Sequence, residues 1–141
     1  MNGEMRRQIA AAALSPPEKT APPSEAFLKV PEVWRRPYRL GEHFVGFQGH
    51  FEGRPVLPAL AQVFIAQDMV KTLLKGPVTL EAIIQAKFLS PVTPGRLLSV
   101  YASSEKPGEW RLHLTSAAEG EPAEVDAAFM RLKFKENGHG L

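Results

Sequence analysis

Residues 58–75 (PALAQVFIAQDMVKTLLK) restrict the fold more than any other stretch of the chain. Pro58 suits a helix start, where its missing donor costs nothing. Gly76-Pro77 ends the segment, and Lys71 and Lys75 stand favourably in its last two turns. At helical spacing Leu60, Phe64, Gln67, Asp68, Lys71 and Lys75 share one side, while Ala61, Gln62, Ile65, Ala66, Met69, Val70 and Leu73 cover most of the rest. The first half is therefore apolar almost all round, which demands burial on most sides. A helix of this kind cannot lie on a flat sheet with its back in water. Either the sheet curls around it or a second chain covers it.

The flanking segments supply the sheet. Residues 26–30 (AFLKV) and 33–40 (VWRRPYRL) read as short strands, with Pro37 pushing the second toward an edge. Segments 78–89, 97–105, 109–118 and 123–134 read as extended, and Trp110, Leu112 and Leu114 alternate with Arg111, His113 and Thr115. Pro107-Gly108 sits where a type II turn wants these residues. The expected class is α+β: a curled antiparallel sheet of about five or six strands around one central helix. Prolines 16, 17, 22 and 23 crowd the start, so residues 1–24 are read as a flexible arm with one or two helical turns around Arg6–Leu14. The domain is expected over 25–135 and a loose tail over 136–141.

Length and composition exclude several classes. The 141 residues suit one domain, and 44% hydrophobic against 23% charged residues argues against disorder. A net charge of +2 demands no nucleic acid, and the interleaved Trp34, Arg35, Arg36, Tyr38 and Arg39 are better read as an edge strand. Absence of Cys excludes disulfides, thiolate chemistry and Cys-ligated metal, with a reducing cytoplasm as the default compartment. No apolar run approaches a membrane span of roughly 18 residues. Ile9–Leu14 follows Arg6-Arg7 but is too short for a signal core and meets Pro16-Pro17 at once. The four histidines show no i,i+4 pair, which argues against a metal site. Of these, His43 reads as structural, His113 as lying on a solvated strand face and His139 as part of the tail. Arg35, Arg36, Arg39, Arg54, Lys87 and Arg96 form either a basic rim for an acidic partner or plain solubilising charge.

The loop 41–58 (GEHFVGFQGHFEGRPVLP) is long, irregular and rich in Gly, and such loops are often functional. Its part from Phe47 to Pro58 resembles the active-site signature of the hot-dog 3-hydroxyacyl-ACP dehydratases, GHFPxxPVxPG followed by a helix. Residues Lys87 to Leu98 (KFLSPVTPGRLL) resemble the same family's second signature, KFxxPVxPGDxL. The Ala61-Gln62 pair is similar to a divergent branch serving aryl-polyene-type pathways. The resemblance spans about residues 43–134 and implies a homodimer with active sites at the subunit interface. It implies His50 as the base that takes a proton from C2 of an acyl-ACP or acyl-CoA thioester, and an acyl carrier protein as partner. Backbone around Pro58, Ala59 and Leu60 would hold the thioester oxygen, and Phe51, Val56 and Phe64 would line the acyl path. No cofactor is implied. A neutral imidazole suits proton abstraction near pH 7, and a helix N-terminus suits a developing oxyanion.

Three departures stand out. The family's helix carboxylate lies fourteen residues beyond its His, which here is Phe64. The next acid is Asp68, one turn and roughly 6 Å further along the axis. Glu52 replaces a Pro and Ala59 a Gly. Gln62, Glu52 and Asp68 are the auxiliary candidates; Gln62 reads first as a buried, hydrogen-bonded core residue, and Asp68 as part of a solvated or interface face shared with Lys71. Three outcomes remain: a dehydratase with a substitute group, an acyl-thioester hydrolase on the same fold, or a non-catalytic acyl-binding subunit.

Overall fold

The structure, a computed structural model, describes residues 2–27, 30, 32–48 and 53–137. His50, Phe51, Glu52 and His139 lie outside the described residues. Helix α1 (Asn2–Ala12) leads into β1 (Glu18–Thr20), a 3-10 turn at Glu25–Phe27 and β2 (Val33–Arg39). A second 3-10 turn at Val45–Phe47 precedes α2 (Ala59–Leu74), and β3 (Val78–Phe88), β4 (Leu97–Lys106), β5 (Glu109–Ala117) and β6 (Val125–Glu136) follow. The strands form one antiparallel sheet in the order β1-β2-β4-β5-β6-β3. This is the α+β layout of sheet and buried helix that the sequence implied, and the hot-dog architecture of the resemblance.

Helix α2 begins and ends as its sequence dictates. Pro58 caps it at φ −70°, and Lys75 closes it in the left-handed region at φ 57°, donating to the Lys71 and Thr72 carbonyls. Ile65, Ala66, Met69 and Val70 are fully buried. They share one core with the row Trp34, Ala102, Leu112 and Met130, which the strand register aligns on one face. Each large side chain so buried contributes about 1.5–3 kcal/mol. Gly108 turns the β4–β5 hairpin at φ 81°, and a Cβ there would lie 3.0 Å from the Phe134 carbonyl. Among the described residues no helix is long and apolar enough to cross a membrane.

Several expectations are corrected. The one or two helical turns expected around Arg6–Leu14 belong to the longer α1, and the segment 1–24, expected as a flexible arm, lays that helix and a strand on the domain. Met5 and Ile9, four residues apart, are buried in the main core, and β1 pairs with β2 from Glu18↔Arg35 to Thr20↔Val33. The i,i+4 apolar pair overrides the proline pattern because it finds α2 to pack on. Pro37 is not on an edge strand: it pairs with Ser99 of β4, and its carbonyl accepts from Leu14 N–H at 2.9 Å, beyond the end of short β1. The strand expected over 26–30 is a 3-10 turn at Glu25–Phe27, with 28–29 outside the described residues. Phe27 folds over the outer face of the sheet, so His113 is buried rather than solvated. Its ring stacks on Phe129 at 4.2 Å, and its Nε2 meets Asp126 Oδ1 at 2.8 Å. At the other terminus β6 reaches Glu136, and Asn137 N–H donates to the Pro77 carbonyl at 2.9 Å.

Candidate functional site

The two signature-like segments, thirty-odd residues apart in sequence, meet at the start of α2. Leu57 N–H donates to the Val92 carbonyl at 2.8 Å, and Val92 is buried. This bond fixes the end of the long loop against the β3–β4 connection and so aims the α2 N-terminus. It also consumes the Leu57 donor. Pro58 carries no N–H, so of the expected oxyanion holders only Ala59 and Leu60 can donate. The cap residue makes no side-chain hydrogen bond to that first turn, and Gln62 N–H already bonds the Pro58 carbonyl at 3.1 Å. A helix start of this kind favours negative charge. Leu60 is exposed beside it, and Val56 is half-buried.

Gln62 is 3% exposed. Its Nε2 donates to the Leu57 carbonyl at 3.3 Å, while its buried Oε1 has no partner among the described residues. Such an orphan acceptor costs about 1–3 kcal/mol unless something donates to it. Gln62 thus combines the two readings left open in the sequence: it is a core residue by burial and carries an open acceptor next to the helix start.

Phe64 is buried and covered from α1, with the Arg6 guanidinium 4.8 Å from its ring centroid. A cation over an aromatic face at that range is attractive. Asp68 does not sit on a solvated face. Its Oδ2 accepts from Tyr38 OH at 2.6 Å and Arg36 Nη1 at 3.2 Å, and Arg36 also donates to Thr72 Oγ1 at 2.8 Å. The Arg36 and Asp68 side chains are both about 85% buried, since their relative exposures are 16% and 15%. Burial, then the Asp68 carboxylate, pushes the Tyr38 phenol well above its usual range. The network ties β2 to α2, and Asp68 is spoken for within it.

The basic residues weighed as a rim or as solubilising charge divide into two groups. Arg36 faces α2, Arg35 donates to Ser99 Oγ at 2.8 Å, and Arg96 donates to Ser116 Oγ at 3.1 Å. Arg39, Arg54 and Lys87 are exposed. His43 is exposed, 3.5 Å from Glu42. Sequence reasoning missed Arg6, Gln8 and the Arg36–Asp68 pair. Gln8 Oε1 accepts from Val45 N–H at 2.8 Å and so ties α1 to the turn that precedes the loop. The Met5–Ile9 spacing was the available signal for α1; nothing in the sequence paired residue 36 with residue 68.

A family model described as ApeI-like, ApeI dehydratase, matches residues 34–135. No curated protein matches the chain. Among solved structures, an uncharacterized protein from Erwinia carotovora subsp. atroseptica superposes with a TM-score of 0.69 at 20% identity, over 89% of this chain and 95% of that one. The dehydratase heterocomplex ApeI:P from Xenorhabdus doucetiae gives 0.62 at 21% identity, over 85% and 98%. An acyl-CoA hydrolase from Staphylococcus aureus gives 0.55 at 15% identity, over 76% and 66%. At these identities the structural likenesses establish the fold, whereas the family match covers most of the chain and agrees with the branch to which Ala61-Gln62 pointed. The chain belongs to the ApeI-like dehydratase family of hot-dog proteins.

Proposed function

We propose that the chain removes water reversibly from 3-hydroxyacyl thioesters carried on acyl carrier protein or coenzyme A, in fatty-acid or related acyl-chain synthesis in the cytoplasm. The observation that carries this reading is the Leu57–Val92 hydrogen bond, which joins both signature-like segments at the N-terminus of a buried helix. In this reading His50 takes the C2 proton, and the electron pair moves onto the thioester oxygen, held by the Ala59 and Leu60 N–H groups. The hydroxyl on C3 rests near Gln62. The imidazolium returns its proton to that hydroxyl, which leaves as water while the C2–C3 double bond forms. Helix α2 supplies no carboxyl group for this step: Phe64 has none, and Asp68 is engaged with Arg36 and Tyr38. The acyl chain follows α2 past Val56, Phe51 and Phe64. Chemistry of this kind needs no cofactor.

The site is completed by a second copy of the chain. Strand β3 is a sheet edge with Ile83, Ile84 and Phe88 exposed, Leu89 is exposed just beyond its end, and Leu60 is exposed at the helix start. A long apolar edge of this kind is a template for pairing. Because one structural neighbour is a heterocomplex, a related but different chain is the competing occupant.

Turnover of a 3-hydroxyacyl carrier substrate to its enoyl product tests the reading. His50→Ala is expected to lower the rate about 10²–10⁴-fold. Release of free acid instead would assign a hydrolase, and binding without turnover would assign an acyl-binding subunit.

A further inference from the structure

Helix α1 lies outside the segment matched by the family, and it builds with α2 a cleft of which the dehydratase reading uses only Phe64. The cleft holds about 200 Å³. That is below the roughly 300–1,000 Å³ of a whole-ligand pocket, so it accepts the end of a molecule. Ile9, Phe64 and Val78 line it with apolar surface; Arg6 enters from α1 and Lys71 from α2.

Charge decides what such an end can be. Neither Arg6 nor Lys71 forms an ion pair among the described residues. Asp68 also borders the cleft, but Arg36 and Tyr38 already answer its Oδ2. Glu4, the acid of α1, is turned to Arg7 at 2.5 Å and Gln8 at 2.8 Å. Two cations on facing helices, over an aromatic and aliphatic lining, suit an apolar chain that ends in an anion. A guanidinium and an ammonium together grip a carboxylate by charge-assisted hydrogen bonds.

We propose that the α1–α2 cleft is a binding subsite for the carboxylate end of a short apolar chain, held by Arg6 and Lys71. Two sources share this chemistry: a free carboxylic acid, and the distal end of an acyl thioester whose reacting end lies at the α2 N-terminus. The second rests on the dehydratase reading. Twelve residues separate Ala59 from Lys71, about 18 Å along the axis, a span an extended acyl chain can cover.

Titration of the full chain with hexanoate and with hexan-1-ol, followed by backbone amide shifts, tests the subsite. Hexanoate is expected to shift residues 6–10 and 64–71 and to bind about tenfold tighter than the alcohol. Arg6→Gln and Lys71→Gln, both at exposed positions, should erase that preference singly in part and together in full. Equal binding of the two probes, shifts elsewhere, or an unchanged preference in the double variant overturns the proposal. A second arm compares 3-hydroxyacyl thioesters of equal length with and without a terminal carboxylate. A lower KM for the carboxylate-ended substrate, lost in Arg6→Gln, identifies the acyl end as the source; hexanoate binding without that KM difference identifies the free acid. Hexanoate binding with no thioester turnover leaves the subsite standing and removes the dehydratase reading.

Discussion

Phe64 stands where the dehydratase resemblance expects a carboxylate, and what covers it determines how that position responds to change. Phe64→Glu puts a carboxylate under the Arg6 guanidinium, which now lies 4.8 Å from the ring. We expect this variant to gain no dehydration, because the new acid pairs with Arg6; Phe64→Glu with Arg6→Gln frees it and is expected to raise turnover. An enoyl-product assay on both variants decides, and a gain in the single variant contradicts the pairing. Tyr38 carries a second prediction. Its phenol is protonated in folded and unfolded chains alike below pH ~10. Above that, the unfolded chain loses a proton that burial and Asp68 make the folded chain keep. The unfolded state then binds fewer protons, so stability falls as pH rises, by up to about 1.4 kcal/mol per unit. Urea unfolding at pH 8 and pH 11 should show this fall reduced in Tyr38→Phe. Tyr101, raised in the same direction mainly by burial, adds a fall of its own that the variant retains. The Phe64 substitution was legible in the sequence because a motif fixed the position. Arg6 and the Arg36–Asp68 pair were not, because residues 30 or more apart are brought together only by packing.

Among the elements, α2 and the four long strands were readable, while of α1 only one or two turns around Arg6–Leu14 were, and not their docking on the core. Helix α2 announces itself through Pro58, Gly76-Pro77 and an apolar run with no acid before Asp68. Strands β4 and β5 announce themselves through alternation and a Pro-Gly turn. Helix α1 shows only Met5 and Ile9 among alanines and charges, and its reason to form lies on the surface of α2. The same partial view misplaced His113, since alternation reports two faces and not that Phe27 returns to cover the second. Deleting residues 2–14 uncovers Met5 and Ile9 burial worth about 3–6 kcal/mol, and a matching loss is expected in denaturant unfolding. Lys75 holds a left-handed cap that glycine adopts without its steric cost. Lys75→Gly is expected to stabilise by roughly 0.5–1 kcal/mol, read as a higher urea midpoint at constant m-value.

For the whole molecule, the two rims of the sheet differ. The β1 rim is three residues long, whereas the β3 rim runs for eleven. Ile84→Lys places a charge in the middle of the long rim and is expected to lower the mass seen by light scattering while leaving circular dichroism unchanged. An unaltered mass would move the assembly surface elsewhere. When two copies join long rim to long rim, each spends the one boundary at which a further chain could be added. The joined object presents only the stubby margins, with three residues of backbone apiece. In the proposed pair growth would therefore halt, and a strand that would otherwise seed fibres would become a self-limiting fastening.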